Sequence, residues 1–167
     1  KINRVIFIGM GTSYNASMVG KHMMEQLAGI HSEAENASEF RYNRPLLGKD
    51  TIVISISQSG ETADTLAAMS MAKEQGAYVI NICNTEGSQS NRISDETLYL
   101  RAGPEIGVAS TKTYICSLEA IYLLAIDFGS KTRYLNQNQV KEALNSLSRL
   151  PDMIGKILAN NNPYIEL

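Results

Sequence analysis

The sequence predicts an α/β fold: a three-layer, doubly wound domain built on a parallel five-stranded sheet. Short apolar runs of strand length alternate with longer segments whose apolar residues recur at helical spacing. Several of the strand runs are apolar at nearly every position, as strands covered by helices on both faces are. Three of the strands also run out into turns rich in Gly, Ser and Thr.

In chain order, Arg4-Val5-Ile6-Phe7-Ile8-Gly9 is the first strand. Gly9-Met10-Gly11-Thr12-Ser13 then turns into a helix from Tyr14 to about Leu27. Met18, Val19, His22, Met23 and Leu27 recur there at helical spacing, and Ala28-Gly29 supplies the stop. His31 to Ala37 is a weaker, more polar strand, followed by a helical turn at Ser38–Tyr42 and a loop from Pro45 to Gly48. Thr51–Ser57 is the next strand. Its turn leads into a helix from near Thr62 to Gln75, ended by Gly76. Ala77–Cys83 is a buried strand, Asn84–Asn91 a polar loop, and Glu96–Arg101 a short strand. A long turn from Ala102 to Lys112 enters the most apolar helix, Thr111 to Phe128, with Gly129 as its end. Leu118, Ile121, Tyr122, Leu124 and Ala125 are expected to bury most of its circumference.

The remainder, Asn138 to Ala159, reads as two helices broken before Pro151. Leu144, Leu147 and Leu150 form one apolar face, and Met153, Ile154, Ile157 and Leu158 the next. Two units are therefore expected: a domain over residues 1–130 and C-terminal connecting helices over 131–167. The strand count and order suit a flavodoxin-like arrangement, in which ligands sit beyond the carboxyl ends of the strands where the strand order reverses.

Composition narrows the function classes. The net charge of -2 gives no basic field for nucleic acid or an anionic membrane surface. An anion site would have to be built locally. No apolar run is long enough to span a bilayer, and none near the start looks like a signal peptide. Cys83 and Cys116 both lie in apolar patterns, which reads as two buried thiols in a reducing, cytoplasmic compartment. The chain opens at Lys1 directly into a strand, which reads as a piece of a longer polypeptide.

The chemistry lies in the three turns. Ser57-Gln58-Ser59-Gly60-Glu61-Thr62 joins a strand to a helix, where orphan N–H groups and the positive dipole end face outward. Ser57, Ser59 and Thr62 offer hydroxyls, Gln58 an amide, and Gly60 close backbone approach. The turn has no lysine and lacks the Walker spacing, so it suits a monophosphate rather than a triphosphate. The same residues would also suit an ordinary capped helix with Ser59 as N-cap.

Gly9-Met10-Gly11 resembles the start of a dinucleotide fingerprint, and Glu33 or Glu35 has the spacing of its ribose-binding acid. Tyr14 stands where the third small residue is needed, which argues against a nicotinamide cofactor. Thr12 and Ser13 are instead expected to donate to a sugar or phosphate, or simply to cap the helix. In the third turn, backbone groups at Val108 and Ala109 and the Ser110 hydroxyl suit sugar hydroxyls. Glu105 and Lys112 are the ionisable groups there, as participants or as structural groups. His22 and His31 have no partner at ligand spacing, so no metal site is expected.

Four segments together carry a family resemblance: Gly11–Tyr14, Ala37–Tyr42, Ser57–Thr65 and Gly103–Lys112. They resemble the first sugar-isomerase (SIS) half of the glutamine–fructose-6-phosphate aminotransferases over about Arg4 to Gly129. The final helices resemble the connector to a second SIS half. Met10 departs from the family, which often has cysteine there. The resemblance implies a SIS fold and an enzyme that makes glucosamine 6-phosphate from fructose 6-phosphate and glutamine-derived ammonia. It implies no metal or organic cofactor, a glutaminase domain in the parent chain and a homodimer.

It further implies that Ser57, Gln58, Ser59 and Thr62 hold the sugar phosphate, with Thr12 and Ser13 nearby, and that Val108, Ala109 and Ser110 line the sugar. The isomerising base, ring-opening histidine and Schiff-base lysine of the family lie in its second half. No catalytic residue is therefore expected here, and the chain alone should be inactive. Two other classes remain open: a SIS sensor domain of a transcriptional regulator, and a self-sufficient homodimeric phosphosugar isomerase using Glu61 or Glu105 as base.

Overall fold

The computed structural model describes residues 2–43 and 45–159. The part of the expected C-terminal unit beyond residue 159 lies outside them. Five strands, β1 (Arg4–Gly9), β2 (His31–Asn36), β3 (Thr51–Ser57), β4 (Tyr78–Cys83) and β5 (Glu96–Tyr99), form one parallel sheet in the order β2-β1-β3-β4-β5. The chain starts in β1, passes to one side for β2, then crosses back for β3. The reversal therefore falls between β1 and β3, and the crevice beyond their carboxyl ends is where such folds take ligands. The α/β, five-stranded expectation is met.

Alternation of side chains divides the core in two. Val5, Phe7, Ile52, Ile54, Ile56, Ile80 and Ile82 face one helix layer, formed by α1 (Thr12–Ala28) and α5 (Lys112–Lys131). Ile6, Ile8, Val53 and Val79 face the other, formed by α2 (Ala37–Asn43) and α3 (Ala63–Glu74). β3 is buried along its whole length. Each fully buried Ile or Val contributes ~1.5–3 kcal/mol, so the central strands anchor the turns at their ends. The polar β2 is fixed differently, by Arg4, whose guanidinium donates to both Glu33 oxygens at 2.8 and 2.6 Å.

Several local expectations are corrected. The fully buried residues of α1 are Ala16, Ser17, Gly20, Met24 and Ala28; Met23 and Leu27 pack against the same core as expected, while Met18 is 41% exposed and His22 lies outward. Small residues let α1 sit close to the sheet and to α5: a side chain at Gly20 would press on Phe7 and Ile121. Helix α5 runs past Gly129 to Lys131, and the missing side chain at Gly129 serves instead to admit the Leu27 carbonyl of α1. Nor is α5 buried round most of its circumference, since Ile115 and Leu123 are exposed.

The polar loop after β4 contains a short helix, α4 (Gln89–Ile93). The last helices are α6 (Gln137–Ser148), opened by an Asn136–Gln139 capping box, and α7 (Leu150–Ala159). The break falls at Arg149, and Pro151 lies in the first turn of α7, where proline costs no helical hydrogen bond. Neither helix has a buried residue. Among the described residues no helix is long and apolar enough to cross a membrane. Cys83 is buried, but Cys116 is only half-buried, and both are free thiols.

Candidate functional site

A cavity of about 250 Å³ opens at the carboxyl ends of β1 and β3, at the reversal of strand order. The three turns singled out in the sequence meet there. Its wall includes Thr12 and Ser13 from the β1–α1 turn, Ser57, Gln58, Ser59 and Thr62 from the β3–α3 turn, and Val108 and Ser110 from the loop before α5. Ala109 belongs to that loop but is exposed and does not line the cavity.

The hydroxyls of the β3–α3 turn are not consumed by helix capping. Thr62 occupies the N-cap position of α3 but makes no side-chain cap bond. Ser59 is not the N-cap: its Oγ accepts the Glu61 N–H at 3.2 Å, inside the turn. Ser57 is buried, and its Oγ accepts the Gly60 N–H at 2.9 Å, which leaves its proton to donate. The first helical bond of α3 runs from Leu66 N–H to Thr62 O, so the N–H groups of Ala63, Asp64 and Thr65 stand outside its ladder. Positive dipole, orphan N–H groups and hydroxyls thus converge at one helix start. Asp64, in that first turn, is paired with Arg41 at 2.9 Å. Among the described residues no lysine or arginine lines the cavity, so an anion there would be held by neutral donors.

The β1–α1 turn behaves likewise. Gly11 is the N-cap of α1 and no side chain caps it, so Thr12 and Ser13 are not spent on capping. Thr12 Oγ1 lies 2.6 Å from Ser110 Oγ, a hydrogen bond that joins the first turn to the third across the mouth.

The third wall is organised by Glu105. Its Oε1 accepts the Thr111 N–H at 2.7 Å, the Lys112 N–H at 2.8 Å and the Thr111 hydroxyl at 2.9 Å. Its Oε2 accepts the Thr113 hydroxyl and, at 3.4 Å, the Thr113 N–H. The hydrogen bond from Thr113, followed by that from the Thr111 backbone, pulls the carboxyl down to about 2 from an ordinary 4.5. The carboxylate caps α5 and ties the loop to it. Lys112 turns away, its Nζ donating to the Pro104 carbonyl at 2.6 Å.

Comparison with known proteins agrees with this architecture. The SIS domain model matches residues 1–127. The chain belongs to the SIS domain family. This SIS domain is 48% identical, over 95% of its length, to the glutamine–fructose-6-phosphate aminotransferase [isomerizing] of Clostridium tetani, of which it covers 26%. It is 44% identical over its whole length to the enzyme of the same name from Mycobacterium bovis, covering 27% of it. Among solved structures it superposes on the C-terminal domain of glucosamine-fructose-6-phosphate aminotransferase from Francisella tularensis with a TM-score of 0.92 and 32% identity, covering 97% of this chain and 46% of that one. It thus spans about a quarter of the curated relatives it matches.

Sequence reasoning left out several wall residues of the SIS domain. Thr65 is buried and lines the cavity from the first turn of α3, and Met10, Gly11, Ile56 and Gly107 also lie on the wall. The signal for Thr65 was its place in the quoted Ser57–Thr65 segment. The polar contacts behind the turn, from β4 and α4, carried no sequence signal because Asn84–Asn91 read only as a loop.

Proposed function

We propose that this SIS domain is the sugar-phosphate-binding first half of the isomerase domain of a glutamine–fructose-6-phosphate transaminase (isomerizing). In this reading residues 1–130 hold fructose 6-phosphate or glucosamine 6-phosphate, and 131–167 lead towards a second SIS half. The parent chain carries a glutaminase domain, acts as a cytoplasmic homodimer and needs no cofactor. The observation that carries the reading is one cavity ringed by Ser57, Ser59, Thr62, Thr12 and Ser110 at the start of α3, with no lysine or arginine on its wall among the described residues. Such a site suits a monophosphate whose charge is met by a helix end and hydroxyls. The 48% identity to an enzyme of that name supports the substrate.

Ser57, Gln58, Ser59 and Thr62 hold the phosphate, with Thr12 and Ser13 beside it, and Val108 and Ser110 lie along the sugar, with the exposed Ala109 between them in the loop. The reaction requires a base for the sugar C2 proton. Glu105 is the ionisable group on the wall, and a carboxylate already accepting from Thr111, Lys112 and Thr113 is a weak proton acceptor. Glu61 is engaged too, its Oε1 accepting the Gln89 N–H at 2.7 Å. Both facts favour a binding half that is inactive alone over a self-sufficient isomerase. The chain should bind fructose 6-phosphate by calorimetry and show no conversion to glucose 6-phosphate in a coupled assay. Absence of binding would refute the function, and robust turnover would refute the half-site. A regulator's sensor domain would be marked by a helix-turn-helix domain in the parent polypeptide in place of a glutaminase.

A further inference from the structure

We propose that the β4–α4 segment, centred on Asn81, is the positioning element of the anion turn. This rests on the sugar-phosphate reading above. Asn81 is fully buried in the middle of β4, among Val79, Ile80, Ile82 and Cys83. An apolar residue would serve the sheet there, and a buried amide is costly unless both its ends are met. Both are: Oδ1 accepts the Ser55 hydroxyl at 2.8 Å, and Nδ2 donates to Ser90 Oγ at 2.9 Å. Ser90, also fully buried, passes the link on, its N–H donating to the Gly60 carbonyl at 3.0 Å.

The rest of the segment grips the same turn. The Thr85 hydroxyl donates to the Gln58 carbonyl at 3.2 Å, with the Cys83 thiol beside it at 3.8 Å. The Gln89 N–H takes the Glu61 carboxylate. Ser88 and Ser90 hydroxyls, 3.1 Å apart, press against the face of Gly60 where a side chain would stand. Gln58, Gly60 and Glu61 are thus held from behind, while Ser57, Ser59 and Thr62 face the cavity. A fully satisfied buried network is stiff, and a ligand gains from donors that are already in place. Asn81 acts through the turn, without touching the ligand.

The test titrates the chain with fructose 6-phosphate and, separately, with inorganic phosphate, alongside circular dichroism and Tm. Asn81→Ala should remain folded and bind both about tenfold or more weakly. Ile52→Val, at the opposite end of β3, lowers Tm but should bind like the parent. Glu61→Ala, an exposed change, should weaken both ligands several-fold, and Glu61→Gln should recover most of that. A folded Asn81→Ala with parental affinity overturns the proposal. Should Asn81→Ala fail to fold, the Glu61 pair and Ser90→Ala decide, and parental affinity in Glu61→Ala and Ser90→Ala overturns it. A parent that binds neither ligand removes the functional reading and this proposal together, a result distinct from the other two.

Discussion

The two walls of the cavity are built in opposite ways. The β3–α3 turn continues a fully buried strand, and its backbone is held from behind by β4 and α4. The loop from Gly103 to Ser110 stands in solvent. Ile106 is 102% and Val108 108% exposed, and the loop is held by polar ties alone: the Glu105 carboxylate, the Asn84 amide on the Gly103 carbonyl, the Lys112 ammonium on the Pro104 carbonyl, and the Thr12–Ser110 hydroxyl pair at its end. A rigid wall suits a group of constant shape, such as a phosphate. A tethered, exposed wall suits the more varied sugar, or a face completed by another part of the assembly. The difference teaches that grip and recognition can be assigned to separate elements, one paid for by the core and the other by a few polar ties.

The contrast breaks most severely at Gly60. Its φ of +69 is a left-handed backbone, and a side chain would collide with the Ser88 and Ser90 hydroxyls. Gly60→Ala should cost ~1–3 kcal/mol in backbone strain and a further ~1–3 kcal/mol in overpacking. Denaturant unfolding should show that loss, and fructose 6-phosphate binding should fall with it.

A smaller effect is expected on the exposed wall. Glu105→Gln keeps one acceptor but loses the charge that meets the α5 N-terminus. Fructose 6-phosphate affinity should fall several-fold while inorganic phosphate affinity holds. Equal losses for both ligands would mean that the walls are not separate. The pH dependence sharpens this. The Glu105 carboxyl is depressed in the fold, so its contribution is present above about 4.5, the ordinary value, and is lost as pH falls towards about 2. The Tm advantage of the parent over Glu105→Gln should therefore shrink between those pH values. A constant difference would contradict the assigned role.

Much of this was legible in the residues, for identifiable reasons. The central strands β1, β3 and β4 are apolar at most positions, so their places and their parallel, doubly covered setting could be read directly. The three turns could be read because glycines and hydroxyls gathered at strand ends are uncommon outside caps and anion sites. Packing of α1 could not, because Ala16, Ser17 and Gly20 mark a close approach, which a search for large apolar residues passes over. Gly129 read as a helix stop for the same reason: backbone crowding by Leu27 is a tertiary fact, invisible to local propensity. Asn81 and α4 escaped because their value lies in partners far along the chain, at Ser55 and Gly60.

The central claim is that the β3–α3 turn grips a sugar phosphate through neutral donors. Its most direct test is a calorimetric titration of fructose 6-phosphate into the parent and into the Ser59→Ala, Thr62→Ala double variant. Each lost neutral hydrogen bond costs about 0.5–1.5 kcal/mol, so each change should weaken binding several-fold to about tenfold while the fold survives. Superimposable titration curves for a folded double variant and the parent would contradict the account.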